Sequence, residues 1–314
     1  MKIVITDRAT LGEGINLDLI GAFGELVIYP HTNHTELIER IAEADVLICN
    51  KTVVDKQALD AAKNLRCILL FATGYNNIDI SYAASRGIAV CNAGQYSTYA
   101  VAQHTFALML RQASRVAEYS DFVLGGGWIR SPLFSAFEYP THELYGKTLG
   151  IVGFGRIGRA VCDIALAFGM KVLVYTRTPK DDPRVKFVSF DTLLSESDYI
   201  SVHCPLTDKT SKMFNSEAFG KCKEGAFFVN TSRGGVVDEI ALASALNSGK
   251  LSGAALDVLA TEPMSAECPL IGAKNITLTP HTAWIPVETR QRLIGIVADN
   301  LKAFLDGKPK NKVN

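Results

Sequence analysis

Three side chains that can carry acid–base or ion-pairing chemistry occur in the second half of the chain, each just after a strand-like stretch. They are Arg233 after residues 226–230, Glu262 after 253–257 and His281 after 275–279. The carboxyl ends of parallel strands meet at one edge of a sheet, where ligands bind, so these side chains are expected to converge there. Each has a simpler interpretation as a surface arginine, a glutamate in a solvated turn or a structural histidine. Their joint position favours a catalytic group.

A glycine pattern upstream indicates a dinucleotide site. Gly153, Gly155 and Gly158 lie in residues 147–178, which have the pattern of a strand, a turn, a helix and a second strand. The first glycine can form the tight turn, the second lets backbone approach a pyrophosphate, and the third allows the helix to pack closely on the strand. The glycines alone would fit an ordinary βα turn. With both strands and the helix in place, dinucleotide binding is favoured, and the site made by the three side chains would lie at its nicotinamide end.

The elements that must position these residues alternate between strand and helix. In the first part of the chain we predict strands at 2–6, 25–29, 44–49, 66–72 and 88–91, and helices at 35–42 and 55–62. Short apolar strands alternating with helices are typical of a parallel sheet covered on both faces. This part lacks a GxGxxG pattern, so we expect it to bind something other than the dinucleotide.

A long helix predicted at 97–118 leads into a turn-rich, aromatic segment at 125–143. That segment is either an arm that packs on another subunit or a locally folded loop. Further strands are predicted at 198–203, 226–230, 253–257 and 275–279, with helices at 217–221, 239–248 and 289–304. Two α/β units without a flexible linker suggest a hinged pair with a cleft for substrate between them.

Composition excludes several classes of partner. The 314 residues include 32 Lys plus Arg and 32 Asp plus Glu, so no general basic field favours nucleic acid or an anionic membrane. No signal peptide or membrane span is apparent, and a cytoplasmic protein is expected. The seven cysteines have no metal-ligand spacing. We therefore expect reduced thiols and no metal site.

Several segments in order resemble the family of D-isomer-specific 2-hydroxyacid dehydrogenases: VGFGRIG, HCPLT, NTSRGGVVDE, ALDVLATEP and TPHTAW, preceded by TGYNNID, AASRGIAV and VAQHTFALML. The resemblance covers nearly the whole chain and is greatest to the branch of glycerate dehydrogenases and hydroxypyruvate reductases. It implies two doubly wound parallel-sheet α/β domains with a cleft between them. One is a Rossmann NAD(P) domain at 99–284. The other is a smaller flavodoxin-like substrate domain at 1–98 and 285–314. It also implies a homodimer, with a dimerisation arm near 119–146.

Catalytic roles follow from the resemblance. It makes Arg233 the side chain that holds the substrate carboxylate and polarises its carbonyl, His281 the acid/base, and Glu262 the partner of His281. A guanidinium can grip a carboxylate with two hydrogen bonds, and an imidazole exchanges protons near neutral pH. The resemblance also assigns substrate contacts to the following residues of the substrate domain and its border: Lys51, Thr73, Gly74, Tyr75 and Trp284. For Lys51, an ordinary solvent-facing lysine is the alternative.

On the cofactor side, the resemblance points to residues beyond the three glycines: Arg156, Ile157, His203, Pro205, Thr231, Arg233, Asp257 and His281. One departure concerns the second strand, which should end at an acid that bonds the ribose of NAD. Thr176 and Arg177 stand there instead, and Asp181 and Asp182 come too late for that role. We therefore predict that NADP(H) is accepted, although NAD(H) use stays possible.

The resemblance implies reduction of hydroxypyruvate or glyoxylate, or oxidation of D-glycerate, so the expected partner is a small 2-oxo or 2-hydroxy acid. One alternative is a dehydrogenase for a bulkier D-2-hydroxy acid. Another is a dinucleotide-sensing binding protein like the co-repressors of the family. Formate dehydrogenases are a poorer match, because Glu262 stands where an amide is expected in them.

Overall fold

The computed structural model of the chain describes residues 1–178 and 182–314. These residues form two compact units, one comprising Met1–Ser97 with Trp284–Asn314 and the other Thr98–Ala283. Each unit contains its own sheet, and every strand pairing recorded within the sheets is parallel. The predicted fold class, two parallel-sheet α/β domains, is confirmed. Asp181 lies outside the described residues.

The first unit begins with alternating strands and short helices. The strands are β1 (Lys2–Ile5), β2 (Glu25–Ile28), β3 (Val46–Cys49), β4 (Cys67–Leu70) and β5 (Ala89–Cys91). The helices are α1 (Asp18–Gly21), α2 (His34–Ile41), α3 (Lys56–Ala61) and α4 (Ile80–Ser85). Asn or Asp side chains cap α2, α3 and α4 by accepting a hydrogen bond from a first-turn N–H group. All residues of β3, β4 and β5 are buried, because apolar clusters cover both faces of the sheet.

The second unit carries the glycine pattern. Its helices are α5 (Thr98–Ser114), α6 (Val116–Leu124), α7 (Gly127–Arg130), α8 (Arg156–Ala167), α9 (Phe190–Glu196), α10 (Ser216–Lys221) and α11 (Glu239–Asn247). Its strands are β6 (Thr148–Val152), β7 (Lys171–Tyr175), β8 (Lys186–Phe187), β9 (Tyr199–Val202), β10 (Ala226–Asn230), β11 (Leu251–Leu256) and β12 (Ile276–Leu278). The chain then returns to the first unit as α12 (Val287–Leu305). None of the helices in the described part of the chain is long and apolar enough to span a membrane.

Strand order locates the ligand-binding edge of each sheet. Across the described residues the first sheet has the order β2-β1-β3-β4-β5, and the second β12-β11-β10-β9-β6-β7-β8. The direction of winding reverses between β1 and β3 in the first sheet and between β6 and β9 in the second. Doubly wound sheets bind ligands beyond the carboxyl ends of strands at such a reversal. A ligand site is therefore expected in the loops that follow β1, β3, β6 and β9.

The prediction of one helix at 97–118 was wrong in its second part. The helix ends at Ser114, Arg115 adopts a left-handed conformation with φ 51°, and α6 starts at Val116. A left-handed residue cannot continue a right-handed helix, so the chain changes direction here. The apolar periodicity continues across the break and hides it. The sequence analysis also missed α4 and α9, both short helices without a strong apolar period.

Candidate active site

The three glycines after β6 have distinct environments. Gly153 has φ 97°, and a Cβ at this position would lie 2.7 Å from the carbonyl carbon of His203. Gly155 precedes α8, and a Cβ there would meet nothing within 4 Å. At Gly158 a Cβ would overlap the carbonyl oxygen of Gly153. Glycine is thus required for the turn and for close helix packing, while the space at Gly155 is open to a ligand.

The N-terminus of α8 can receive an anion. Arg156 is the first residue of this 12-residue helix and is exposed, and Ile157 is half-buried against the core. The first N–H groups of a helix have no partner within it and carry partial positive charge. Together with the open space at Gly155, this arrangement fits the pyrophosphate of a dinucleotide.

His203 lies across from the glycine turn, at the end of β9. Its N–H donates to the carbonyl of Val152, and its Nε2 is 2.8 Å from the hydroxyl of Ser201. Burial lowers the pKa of His203 to about 3, so the imidazole is neutral. Its Nδ1 is buried without a hydrogen-bond partner among the described residues. An unpaired buried nitrogen beside an open glycine turn fits a ligand group here. Pro205, two residues further on, is exposed.

The loop after β10 holds Arg233. Asn230, the last residue of the strand, is fully buried; its amide donates to the carbonyl of Arg233 and accepts from the N–H of Ser232. The Arg233 guanidinium is half-buried and donates to the carbonyl of Ser232 at 2.7 Å. Thr231 is buried and hydrogen-bonded to the hydroxyl of Thr105 on α5. Asn230 therefore shapes the loop that presents Arg233, a role the sequence analysis did not assign.

Glu262 and His281 are in direct contact. Oε2 of Glu262 is 2.7 Å from Nδ1 of His281, and its Oε1 accepts the N–H of Leu259. The loop of Arg233 lies against the same segment, because a Cβ on Gly234 would overlap the carbonyl of Leu259. Arg233, Glu262 and His281 thus belong to two touching loops and the loop after β12.

Asp257, directly after β11, fixes the loop that carries His281. Its carboxylate is 1% exposed and accepts the hydroxyl of Thr279 at 2.6 Å and the N–H groups of Thr282 and Ala283. Nε2 of His104, on α5, lies 3.4 Å away. Burial opposes ionisation, but the hydrogen bonds from His104, the two threonines and Ala283 outweigh it and lower the pKa of Asp257.

His281 has an unusual backbone conformation. Its φ is 56°, in the left-handed region, and its N–H donates to the carbonyl of Asp257 at 2.9 Å. A non-glycine residue in this region is held there by its surroundings, and such residues concentrate at functional sites. Since Nδ1 contacts Glu262, Nε2 is the ring nitrogen left to exchange a proton with a ligand.

The loop after β7 contains the residues that depart from an NAD site. Thr176 is half-buried, and Arg177 is exposed. Asp182 accepts hydrogen bonds from Nε and Nη2 of Arg184 at 2.9 and 2.8 Å, and these bonds lower the pKa of Asp182 to about 2. Its carboxylate is therefore already engaged by a guanidinium.

In the first unit, Lys51 and the Thr73–Tyr75 loop follow neighbouring strands. The buried carboxylate of Asp7, after β1, accepts the N–H groups of Asn50, Lys51 and Thr52, which follow β3. The amide of Asn77 bonds the carbonyl of Thr52 at 2.8 Å and so ties the loop after β4 to the loop after β3. Asp7 was not among the predicted site residues, although the loop of Lys51 depends on it.

The remaining predicted substrate residue, Trp284, lies at the start of the C-terminal segment of the first unit. It is half-buried and packs edge-on against Tyr96, with ring centroids 6.2 Å apart.

Among the described residues, no cluster of three or more His, Cys, Asp or Glu side chains could hold a metal ion. All seven cysteines are free, and burial raises the pKa of Cys162 and Cys222 to about 11. Thiols of this kind are poor nucleophiles.

The chain is similar to several known proteins. Residues 106–283, more than half of it, match the family model described as D-isomer specific 2-hydroxyacid dehydrogenase, NAD binding domain. A hydroxypyruvate reductase from Blautia hydrogenotrophica is 42% identical over 100% of both chains. A glyoxylate reductase from Thermococcus litoralis is 43% identical, covering 88% of this chain and 86% of its own.

Solved structures agree with these relatives. The crystal structure of an NADPH-dependent glyoxylate/hydroxypyruvate reductase from Sinorhizobium meliloti, in complex with citrate, superimposes with a TM-score of 0.86 and 28% identity, covering 99% of this chain and 97% of that one. Fold, glycine turn and relatives lead to one conclusion. The chain belongs to the family of D-isomer-specific 2-hydroxyacid dehydrogenases and is an NAD(P)-dependent oxidoreductase.

Proposed function

We propose that the chain reduces a small 2-oxo acid, hydroxypyruvate or glyoxylate, to the hydroxy acid and that in reverse it oxidises D-glycerate. The observation that carries the proposal is the 2.7 Å contact between Glu262 and His281, beside the loop of Arg233. The relatives named above support the substrate class. An imidazole in contact with a carboxylate, close to a loop that carries an arginine, suits a substrate with a carbonyl beside a carboxylate.

The roles of the side chains follow from their chemistry. Arg233 binds the substrate carboxylate and polarises the neighbouring carbonyl. His281 donates a proton from Nε2 to the carbonyl oxygen, which avoids a free alkoxide, and takes the proton back in the reverse reaction. Glu262 orients the imidazole through its contact with Nδ1. When bound, a nicotinamide dinucleotide would supply or accept the hydride.

The first unit is proposed to bind a substrate carboxylate through backbone N–H groups. The N–H groups of Thr73, Gly74 and Tyr75 have no acceptor among the described residues, which leaves them free for an anion. Lys51 is exposed after the neighbouring strand and adds positive charge. Trp284 is proposed to limit the size of the substrate side chain.

Turnover is the direct test. The purified full-length chain is incubated with NADPH or NADH and a panel of hydroxypyruvate, glyoxylate, pyruvate and bulkier 2-oxo acids, and cofactor absorbance is followed. Highest kcat/KM is expected for hydroxypyruvate or glyoxylate. A preference for a bulkier acid would change the substrate assignment, and no turnover of any acid would favour a dinucleotide-sensing binding protein.

We also propose that NADP(H) is accepted and preferred. The absence of an acid at Thr176 removes repulsion toward a 2′-phosphate, Arg177 is exposed and can pair with it, and Asp182 is engaged by Arg184. Arg177→Ala is expected to lower kcat/KM for NADPH about tenfold through loss of a charge-assisted hydrogen bond, with little change for NADH. The NADH value in the same variant is the control. A strong NADH preference of the unmodified chain would contradict the proposal.

A homodimer is proposed to form through the arm near 119–146. Within the arm, eight large hydrophobic side chains are exposed: Val123, Leu124, Trp128, Ile129, Leu133, Phe134, Phe137 and Tyr145. A large exposed apolar surface usually marks an interface. Since α6 contains no buried residue, its apolar side chains contribute little to the core of their own unit.

A further inference from the structure

We propose that Asn92 is a positioning residue for substrate, because its side chain fixes the peptide that aims the N–H of Gly74 at the substrate carboxylate. The inference rests on the proposed function of the Thr73–Tyr75 loop. Asn92 directly follows β5, the neighbour of β4 in the sheet. Its side-chain amide donates to the carbonyl oxygen of Thr73 at 2.8 Å, and its Oδ1 accepts the N–H of Gly94 at 3.1 Å.

Two consecutive peptide groups of the loop are held from one side. The carbonyl of Ala72 accepts the N–H of Ala93 at 2.8 Å, and the carbonyl of Thr73 accepts the amide of Asn92. The hydroxyl of Thr73 adds a third bond to the same segment, to the carbonyl of Gly94 at 2.7 Å. In an extended strand successive carbonyls point in opposite directions, so carbonyls that both face residues 92–93 indicate a bent backbone.

The geometry of the peptide bond determines where the N–H groups of Thr73 and Gly74 point. In a trans peptide the C=O and the following N–H point in opposite directions. When the carbonyls of Ala72 and Thr73 face residues 92–93, the N–H groups of Thr73 and Gly74 face away from that segment together. Successive N–H groups on one side of a loop form an anion-binding concavity. Neither N–H has an acceptor in the described part of the chain.

Asn92 is itself held firmly. Its N–H donates to the carbonyl of Asn311, and its carbonyl accepts the amide of Asn300 at 2.8 Å. Asn300 lies on α12, is 1% exposed and accepts the amide of Asn311. The side chain therefore projects from a fixed backbone, which is what a positioning residue requires.

The test uses Asn92→Leu and Asn92→Asp in the full-length chain. Leucine has a similar size without a donor, and aspartate keeps an acceptor for Gly94 while losing the donor to Thr73. Both are expected to raise KM for hydroxypyruvate or glyoxylate about tenfold, the value of one positioned hydrogen bond, with kcat and the KM for NADPH nearly unchanged. Asn64→Leu, in an exposed turn of the same unit, is the matched control.

Two further readouts separate positioning from a structural role. A methyl ester of the same 2-oxo acid lacks the anion, so its kcat/KM should be the same in Asn92→Leu and the unmodified chain. Equal losses for acid and ester would overturn the proposal.

Oxalate binding, measured by calorimetric titration, needs no turnover. Weaker oxalate binding by Asn92→Leu than by the unmodified chain supports the role of Asn92. This result would stand even if the chain reduced no 2-oxo acid, an outcome that would contradict only the proposed function. Oxalate affinity that Asn92→Leu leaves unchanged, or absent oxalate binding by the unmodified chain, would overturn the inference.

Discussion

At the scale of single residues, one ring nitrogen of His281 is held by a carboxylate. Nδ1 contacts the carboxylate of Glu262 at 2.7 Å, and 29% of the side chain is exposed. A carboxylate on one nitrogen fixes the orientation of the imidazole and leaves the other nitrogen for the proposed proton transfer. The left-handed backbone of His281 adds to this constraint. The contact and the backbone conformation together fix the orientation of the imidazole.

The first residue-scale prediction concerns the charge of Glu262. Glu262→Gln keeps the size of the side chain but replaces the carboxylate that contacts His281 with a neutral amide, so kcat for reduction should fall roughly 10- to 100-fold. Steady-state kinetics with saturating cofactor measure it. Glu239→Gln is the control, because Glu239 accepts the N–H of nearby Ala260 without touching His281. If both variants lost activity equally, the effect would lie in loop structure and not in the pair.

The second residue-scale prediction concerns the neutral imidazole of His203. In the unfolded chain it takes up a proton below about pH 6.5, whereas in the folded chain its pKa is about 3. Acid therefore favours the unfolded state, by at most about 1.4 kcal/mol per pH unit. As the pH falls from 6.5 to 4.5, the free energy of unfolding should therefore decrease less for His203→Gln than for the unmodified chain.

Urea midpoints at several pH values check this prediction. The same substitution at His31, which is exposed, controls for the loss of one imidazole. Parallel pH curves for His203→Gln and the unmodified chain would show that His203 is protonated in the folded state.

At the scale of elements, the site depends on loops that touch without pairing as strands. The loop after β10 and the loop after β11 meet where Gly234 lies on the peptide between Leu259 and Ala260. Any Cβ at Gly234 would overlap backbone there, and backbone cannot rotate away as a side chain can. The N–H of Leu259 also donates to Glu262, so a backbone displacement at Gly234 would move Glu262 and disturb its contact with His281.

Gly234→Ala is therefore expected to destabilise the chain by about 3 kcal/mol or more and to lower activity. Gly295→Ala is the control, because Gly295 lies inside α12 and a Cβ there would meet nothing within 4 Å. That change should be neutral or stabilise by about 0.5–1 kcal/mol. Thermal unfolding and kcat/KM measure both. An active, stable Gly234→Ala variant would mean that the two loops separate easily.

At the scale of the whole molecule, the proposed dimer rests on the arm near 119–146. Phe134 is 94% and Ile129 88% exposed, so neither contributes to the folding of its own unit. The double variant Ile129→Asp/Phe134→Asp should lower the molar mass from dimer to monomer without lowering the unfolding midpoint. Light scattering across a concentration series measures it. Ile240→Asp, at a side chain 73% exposed on α11, should leave the dimer intact. A monomeric unmodified chain would contradict the proposed interface.

The sequence by itself determined the α/β alternation, the glycine turn and the family. Buried strands are short apolar runs, a βα turn needs glycine at defined spacing, and the motifs are continuous in the chain; all of these are local properties. It could not show the break at Arg115, because an apolar period can continue across a left-handed residue.

The family resemblance named Glu262 as the partner of His281, but only the tertiary structure decided that the two side chains touch and that Asn92 holds Thr73. Glu262 and His281 are 19 residues apart, and so are Thr73 and Asn92. Their contacts depend on strand order, on register and on loops that meet at the carboxyl edge of a sheet, and hydrophobic periodicity encodes none of these. The sequence also could not predict that Nδ1 of His203 has no hydrogen-bond partner among the described residues, because hydrogen-bond satisfaction is a property of the packed chain.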